Sequence, residues 1–321
     1  MHGLVSTVIP VYNRPHLLRD AVASVIAQSY RPIEVLIVDD GSTDDTGTIA
    51  EALAAEHPQE IRVLHRANAG PGLAREAGRQ AARGEFIQYL DSDDSLMPEK
   101  FALQVAGLRQ NPDCGVSYGY TRHRHVDGRI EPRPWKGSGV RVGTMFPSFL
   151  QSRWWDTPTP LYRASLCDAV GPWTDLRLEE DWEYDCRIAA HGTKLHFCEA
   201  YVAEVRDHDE GRLSRGGARD PLRYSHRARA HRLIYEHATR AGISSEAPEM
   251  QHFARELFLL ARQCGASGLA LESRDLFHLA RSASGESRAC GIDFRLYRIA
   301  AGILGWSLTG RIACLADRLR K

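Results

Sequence analysis

With 321 residues the chain has room for one large domain with an appendage, or for two domains. Its 41 Lys and Arg balance 41 Asp and Glu, so the charge gives no argument for a nucleic-acid partner. Seven cysteines, at 114, 167, 186, 198, 264, 290 and 314, lie scattered without a CxxC pair, which argues against a disulfide framework or a structural zinc site and fits a reducing compartment.

The start, Met1-His2-Gly3-Leu4, has no charged n-region and no long apolar h-region, so no signal peptide is expected. No run of about 18 uncharged apolar residues is present to span a bilayer. Val5 to Ile9 reads as a first strand, ended by Pro10, which cannot supply the next ladder donor. After the loop Val11-Tyr12-Asn13-Arg14, Pro15 opens a helix with Leu18, Ala21, Val22, Val25 and Ile26 on one face.

Ile33 to Val38 is a second strand, apolar at five of six positions as a strand covered on both faces requires. It runs into Asp39-Asp40-Gly41-Ser42-Thr43-Asp44, where Ser42 and Asp45 have the spacing of a capping box for a helix from Thr46 to Glu56. Ile61 to His65 is a third strand, Gly72 to Ala82 a third helix and Phe86 to Leu90 a fourth strand. Gly70-Pro71-Gly72 reads as a helix-start turn whose amides can help to hold a phosphate.

The fourth strand delivers Asp91-Ser92-Asp93-Asp94, three carboxylates in four residues. Like charges this close repel unless a cation joins them, and a hard ion such as Mg²⁺ or Mn²⁺ sits between carboxylates and a substrate's phosphates. Taken alone, the tetrad reads more often as a solvated acidic turn, and the rest of the chain is what raises the site reading. The alternation of strands and helices argues for a mostly parallel sheet, in which ligands bind beyond the carboxyl ends of the strands. Tyr12 to Arg14, Asp39-Asp40, Asn68 and Asp91 to Asp94 all lie just past such ends. A GxGxxG fingerprint after the first strand and a Walker A loop are both absent.

Together, Val8-Ile9-Pro10-Val11-Tyr12-Asn13, Val38-Asp39-Asp40-Gly41-Ser42-Thr43-Asp44, Asn68-Ala69-Gly70-Pro71-Gly72-Leu73-Ala74-Arg75 and the acidic tetrad resemble the family 2 inverting glycosyltransferases, over roughly the first two thirds of the chain. The resemblance implies a GT-A fold, a Rossmann-like mixed and mostly parallel sheet flanked by helices, with a helical carboxyl-terminal extension. It places the catalytic domain at 1–220 and the helical region at 221–321. It also implies a nucleoside-diphosphate sugar donor, with a UDP-sugar favoured, an acceptor hydroxyl on a glycan, a lipid-linked sugar or another molecule, and Mn²⁺ or Mg²⁺.

By the same resemblance, Pro10, Tyr12 and Arg14 lie beside the nucleotide, Asp40 accepts a bond from the base N–H, and Asn68, Arg75 and Ser92 complete the donor side. Asp39 braces the turn. Asp93 is the direct metal ligand, and Asp91 a ribose or metal contact. The family commonly has asparagine where this chain has Glu76.

Beyond Asn111, Gly115 to Tyr120, the turn Asp127-Gly128 and Arg129 onward suggest a hairpin of short strands. Trp154 and Trp155, before the strand-like Leu161 to Arg163, read equally as core and as acceptor-facing rings. Glu179 to Asp185 leads into a helical pattern, which puts its acids at a helix amino terminus where the macrodipole favours ionised carboxylate. This stretch resembles the family's Glu-Asp motif. Asp181 matches the base that takes the acceptor proton, and Glu180 a residue that contacts the acceptor or orients the loop. Val205-Arg206-Asp207-His208 with Ser214 resembles a closing segment with an Arg-x-His pattern, in which His208 completes the metal shell or contacts the diphosphate. Gly211 to Gly217 is its expected lid.

Leu222 to Ala241, Pro248 to Cys264 and Leu269 to Ser284 read as helices. The apolar, basic carboxyl end suits equally an amphipathic helix on an anionic membrane and a helix packed on its own domain. The sequence is therefore read as cytoplasmic, with peripheral attachment at the inner face of a membrane. Two rival classes are a sugar-phosphate nucleotidyltransferase, which usually carries a glycine-rich basic loop after the first strand, and a non-catalytic nucleotide-sugar-binding module.

Overall fold

The computed structural model describes residues 1–208 and 220–319. The expected lid, with Ser214, lies outside the described residues. These group into two units, one made of Met1–Thr144, Arg153–Asp175 and 191–208, the other of Met145–Ser152, Leu176–Ala190 and 220–319.

The first unit holds eight strands, β1 (Val5–Val11), β2 (Ile33–Asp39), β3 (Ile61–His65), β4 (Phe86–Tyr89), β5 (Ser95–Leu96), β6 (Cys114–Arg124), β7 (Leu161–Arg163) and β8 (Lys194–Arg206). Its helices are α1 (Pro15–Ile26), α2 (Thr46–Glu56), α3 (Pro71–Ala81), α4 (Lys100–Gln110) and α5 (Ala164–Val170). The strands form one sheet in the order β3-β2-β1-β4-β7-β6-β8-β5. β1 to β4 run parallel, β7 is antiparallel to both neighbours, β6 and β8 pair in parallel, and β5 closes the edge antiparallel to β8. This is the mixed, mostly parallel sheet flanked by helices that the sequence led us to expect.

β1 and β2 are buried at every position, which explains their near-continuous apolar sequence. Val5, Ile9, Val22, Val25, Ile37, Phe86 and Phe101 belong to one core cluster. At the crossing of α3 on the sheet, Gly78 is required, because a Cβ there would lie 2.3 Å from a methyl of Val8.

Three local expectations are corrected. Pro10 does not end β1 but pairs with Val38 inside it. The Val8 carbonyl faces β4 and the Val11 carbonyl faces β2, so the Pro10 nitrogen faces β4, whose pairing with β1 stops at Val8. No ladder donor is missed there. Ser42 does not cap α2, since its hydroxyl accepts the Asn13 N–H at 3.0 Å and the Thr46 N–H bonds to Asp44 instead. The turn at Asp127-Gly128 returns the chain along the end of β6 with a single bridge, Arg124 to Ile130, and backbone bonds from Glu131 to His123 and from Trp135 to Thr121, rather than as a second strand.

The second unit contains a short 3₁₀ turn (Ser148–Leu150) and seven helices among the described residues, α6 (Glu180–Ala190), α7 (Pro221–Arg240), α8 (Pro248–Ala266), α9 (Ala270–Ala283), α10 (Gly285–Ala289), α11 (Ile292–Leu304) and α12 (Trp306–Leu319). The three expected helices after residue 221 match α7, α8 and α9 within three residues at each end. The expected terminal helix divides at Gly305, whose φ of 80° suits glycine. Phe258, Phe277, Phe294, Tyr297 and Trp306 form an aromatic cluster within this unit. No helix among the described residues is long and apolar enough to cross a membrane.

Candidate active site

β1 lies between β2 and β4, so the chain order reverses at the β1–β4 junction, and the loops after those two strands flank the resulting crevice. The loop after β1 carries Tyr12, 45 % exposed, and Asn13, whose side-chain oxygen accepts the Thr43 N–H at 2.8 Å. The Arg14 N–H donates to the Thr46 hydroxyl at 2.9 Å, which ties this loop to the one after β2. Gly41 has a φ of 76°, and a Cβ there would come within 2.8 Å of the Asn68 nitrogen, so glycine lets the loops after β2 and β3 touch. Asn68 itself is exposed.

Asp39 accepts the Ser42 N–H at 3.0 Å and meets His65 Nδ1 at 3.0 Å, as expected of a residue that braces the turn. Asp40 is also largely engaged by its own fold. It is 3 % exposed, its oxygens accept the N–H groups of Ala69 (3.1 Å) and Gly70 (2.7 Å), and Arg66 lies 3.3 Å away. The expectation that the amides at the start of α3 are offered to a phosphate is thereby corrected for Gly70, because Asp40 takes its N–H.

The acidic tetrad gathers cations from three separate stretches of sequence. Arg75, 3 % exposed on α3, reaches Asp91 Oδ1 at 2.5 Å and lies over the Trp173 ring at 4.9 Å. Arg14 Nη1 and His208 Nε2 meet Asp93 Oδ2 at 2.7 and 2.8 Å. Arg206 donates through Nε to the Asp93 carbonyl at 3.1 Å and through its backbone N–H to Asp94 at 3.4 Å. Ser92 is buried between them in sequence.

The two neighbouring acids are driven in opposite directions. Burial works to raise Asp93, but the His208 hydrogen bond and the Arg14 charge outweigh it and hold its pKa at about 2. Asp94 is pushed well above the carboxylate range by burial and then by the charges of Asp93, Asp91 and Asp156. Asp93 is therefore the firmly ionised member of the run. Trp173, over which Arg75 lies, and Asp156, whose charge acts on Asp94, were not singled out by motif reading, and Arg206 stood in the Arg-x-His pattern without an assigned role.

Asp91, Asp93 and His208 offer two carboxylates and an imidazole. The 2.8 Å between Asp93 Oδ2 and His208 Nε2 is close to the roughly 3 Å that separates adjacent ligands of a six-coordinate ion with bonds of about 2.1 Å. The Asp93–His208 pair thus has the spacing of two adjacent ligands of a hard divalent cation, while Asp91 Oδ1 is held by Arg75 at 2.5 Å.

Glu76, at the departure from the family pattern, is 7 % exposed, pairs with Arg79 and Gln80 and accepts the Trp173 N–H. Trp155 is fully buried against Tyr118, with ring centroids 4.9 Å apart, so it is core. Trp154 is half-buried and packs on Gly137.

Glu180 and Asp181 belong to the second unit, in the first turn of α6. Glu179, just before the helix, has a φ of 59°, an uncommon left-handed conformation for a residue with a Cβ. α7 holds it there, with Arg227 at 2.7 Å and His231 Nδ1 at 3.0 Å from its two oxygens. Burial raises the Glu179 pKa, while the His231 charge and bond lower it further, for a net fall. Glu183 is locked by His237 at 2.9 Å and Arg187 at 3.0 Å. Glu180 is buried, and half-buried Asp181 accepts the Trp182 N–H at 2.7 Å.

The family model described as Glycosyl transferase family 2 matches residues 6–166, half of the chain. The chain belongs to glycosyltransferase family 2. Curated relatives of this family 2 chain include an uncharacterized glycosyltransferase of Rickettsia felis, 33 % identical over 46 % of this chain and 24 % of that protein. Another, from Nostoc sp., is 38 % identical over 63 % of this chain and 61 % of that protein. The chain thus spans less than two thirds of these relatives, and only about a quarter of the first. Among solved structures, Staphylococcus aureus TarS, in complex with UDP-GlcNAc, superposes with a TM-score of 0.71 at 20 % identity over 99 % of this chain and 92 % of that one. The Pyrobaculum calidifontis mannosyltransferase PcManGT, in complex with GDP-Man and Mn²⁺, gives 0.53 at 17 % identity over 98 % and 86 %. At these identities the likeness establishes the GT-A fold.

Proposed function

We propose that this family 2 chain is a metal-dependent inverting glycosyltransferase that moves a sugar from a nucleoside-diphosphate sugar to an acceptor hydroxyl in glycan or polysaccharide synthesis. The observation that carries this reading is Asp93, bonded to Arg14 and His208 at the switch point of the sheet. A UDP-sugar is the favoured donor, a choice supported by the UDP-GlcNAc bound to TarS. Residues 1–220 form the catalytic domain in this reading, and 221–321 its helical extension.

On the donor side, exposed Tyr12 stacks on the base, Arg14 lines the loop beneath it, and buried Pro10 supports that loop from the end of β1. Asp40 fixes Ala69 and Gly70 and offers the base N–H its remaining lone pairs, while Asn68, Ser92 and Arg75 flank ribose and diphosphate. Asp91, Asp93 and His208 would hold Mn²⁺ or Mg²⁺, and such an ion would neutralise charge on the departing diphosphate. Arg14 and Arg75 add fixed positive charge at no cost of reorganisation.

On the acceptor side, Asp181 takes the proton of the attacking hydroxyl as the new bond forms at C1, and Glu180 orients the turn. The macrodipole of α6 keeps such a carboxylate ionised and ready to accept. Asp181→Asn is expected to keep metal-dependent binding of UDP while losing about 10²- to 10⁴-fold in transfer, read by UDP release with a competent acceptor. Unchanged turnover would remove Asp181 as the base.

The terminal helices support peripheral attachment to a membrane. On α11, Ile292, Leu296, Ile299 and Ile303 form one stripe, 57–77 % exposed, and on α12 Leu308, Ile312, Leu315 and Leu319 form another, 46–82 % exposed. Arg295, Arg298 and Arg311 flank them, so an anionic bilayer matches both the apolar stripe and the charge. Free cysteines throughout the chain suit the cytoplasmic face. Replacing Ile299 and Ile303 together by Asp is expected to lower cosedimentation with anionic liposomes at least tenfold, and equal binding would refute attachment through these stripes.

A further inference from the structure

A second group of ligands stands apart from the Asp91–Asp93 pair. His123 and His125, two apart on the outer end of β6 and just beyond it, face Asp207, which follows β8, and one ligand atom from each lies within 4.8 Å of the other two. His123 Nε2 is 3.4 Å and His125 Nδ1 is 3.6 Å from Asp207 Oδ2. Both separations are long for an N–H···O hydrogen bond. They are close to the edge of a tetrahedron, roughly 3.3–3.5 Å, subtended by nitrogen and oxygen ligands at the zinc bond lengths of about 2.0–2.2 Å.

The surroundings are arranged as a metal shell is. The His125 Nε2 meets Glu131 at 2.6 Å, so a carboxylate fixes the ring with Nδ1 turned to Asp207. This is the carboxylate–histidine arrangement that orients ligands and raises their basicity. Arg129 also holds Glu131, at 3.0 Å, and the turn is clipped to β6 through the Glu131 N–H on the His123 carbonyl. His123 is 5 % exposed and stacks on Trp135 with ring centroids 4.0 Å apart, a fixed ring whose buried Nδ1 has no hydrogen-bond partner among the described residues. The Nε2 of this fixed ring is the atom turned to Asp207, and it is the one placed to ligate.

We propose that His123 Nε2, His125 Nδ1 and Asp207 form a second divalent-metal site, of the zinc class, separate from the site that holds the diphosphate. Three protein ligands leave a fourth position open to water or a ligand. Two imidazoles with one carboxylate favour Zn²⁺ or Co²⁺ over the Mg²⁺ and Mn²⁺ suited to the harder Asp91–Asp93 set. Asp207 precedes His208, which bonds to Asp93, so an ion held here anchors the backbone from which His208 reaches the first site.

The test titrates the full chain carrying Asp93→Asn with Co²⁺ alone and follows the visible absorption of a four-coordinate cobalt site, with bound Zn²⁺ counted separately after dialysis. One equivalent is expected to remain in that variant. It is expected to bind at least 100-fold more weakly with the isosteric Asp207→Asn or with the partly exposed His125→Gln, and about 10- to 100-fold more weakly with Glu131→Gln. Unfolding temperatures of the metal-free variants verify that each is folded. Cobalt binding abolished by Asp93→Asn alone, binding indifferent to both His125→Gln and Asp207→Asn, or no binding of Co²⁺ or Zn²⁺ would each overturn the second site.

Discussion

Asp91–Asp94 and Glu179–Asp181 each crowd three carboxylates into one turn, and the chain balances them by different means. Around the first, Arg14, Arg75, Arg206 and His208 converge from the ends of β1 and β8 and from α3, and the pKa of Asp94 is driven up while that of Asp93 is driven down. Around the second, which lies at a helix amino terminus, Arg227 and His231 of α7 hold Glu179, and Asp181 accepts the N–H of its neighbour Trp182. The lesson is that an acidic run is defined by what neutralises it. The first run is balanced by cations gathered from afar, and the second by a helix end and the helix that follows it.

The largest effect should come from removing the centre of the first cluster. Asp93→Asn is expected to lower transfer on the order of 10³-fold, equivalent to about 4 kcal/mol of transition-state stabilisation, and to lower the unfolding temperature as well, because Arg14 and His208 lose their bonded carboxylate. Loss of less than tenfold would mean that the two turns are not divided in this way. Next, Arg227→Met leaves Glu179 without its bonded cation and is expected to cost about 1.5–3 kcal/mol of stability by denaturant titration. No change would show that the left-handed turn before α6 stands without α7.

The smallest effect belongs to His65, which braces Asp39 beside the nucleotide loops. Its pKa is raised first by the bond to Glu51 and then by that to Asp39. A raised folded pKa stabilises fully below the ordinary 6.5 and is lost as pH climbs through the raised value. His65 is half exposed, so screening leaves only a few tenths of a kcal/mol. The stability gap between wild type and His65→Ala should be wider at about pH 5.5 than at about pH 9, and the reverse order would rule out the bracing role.

Much of this organisation was legible in the residues. Strands covered on both faces read as apolar runs, so β1 to β4 and their helices follow from local pattern, and the apolar stripes of α7 to α9 do likewise. What stayed hidden was pairing between distant residues. Pro10 remains inside β1 because of which neighbour its nitrogen faces, a fact fixed by strand order rather than by proline. Ser42 leaves its capping role because Asn13, twenty-nine residues earlier, claims its hydroxyl. Arg75 resembles a solvated helical cation until Trp173 and Asp91 enclose it. The carboxylates announced themselves in sequence, and the cations that set their protonation did not.

The most direct test of the account is the thermal unfolding of the full chain with UDP, with and without Mn²⁺, in wild type, Asp93→Asn and Asp181→Asn. At a ligand concentration about 100 times the dissociation constant the native state gains about 2.7 kcal/mol, a rise of roughly 5 °C. That rise is expected in wild type and Asp181→Asn only when Mn²⁺ is present, and not in Asp93→Asn. An equal rise without metal, or an undiminished rise in Asp93→Asn, would contradict the assignment of Asp93 to a metal that holds the diphosphate.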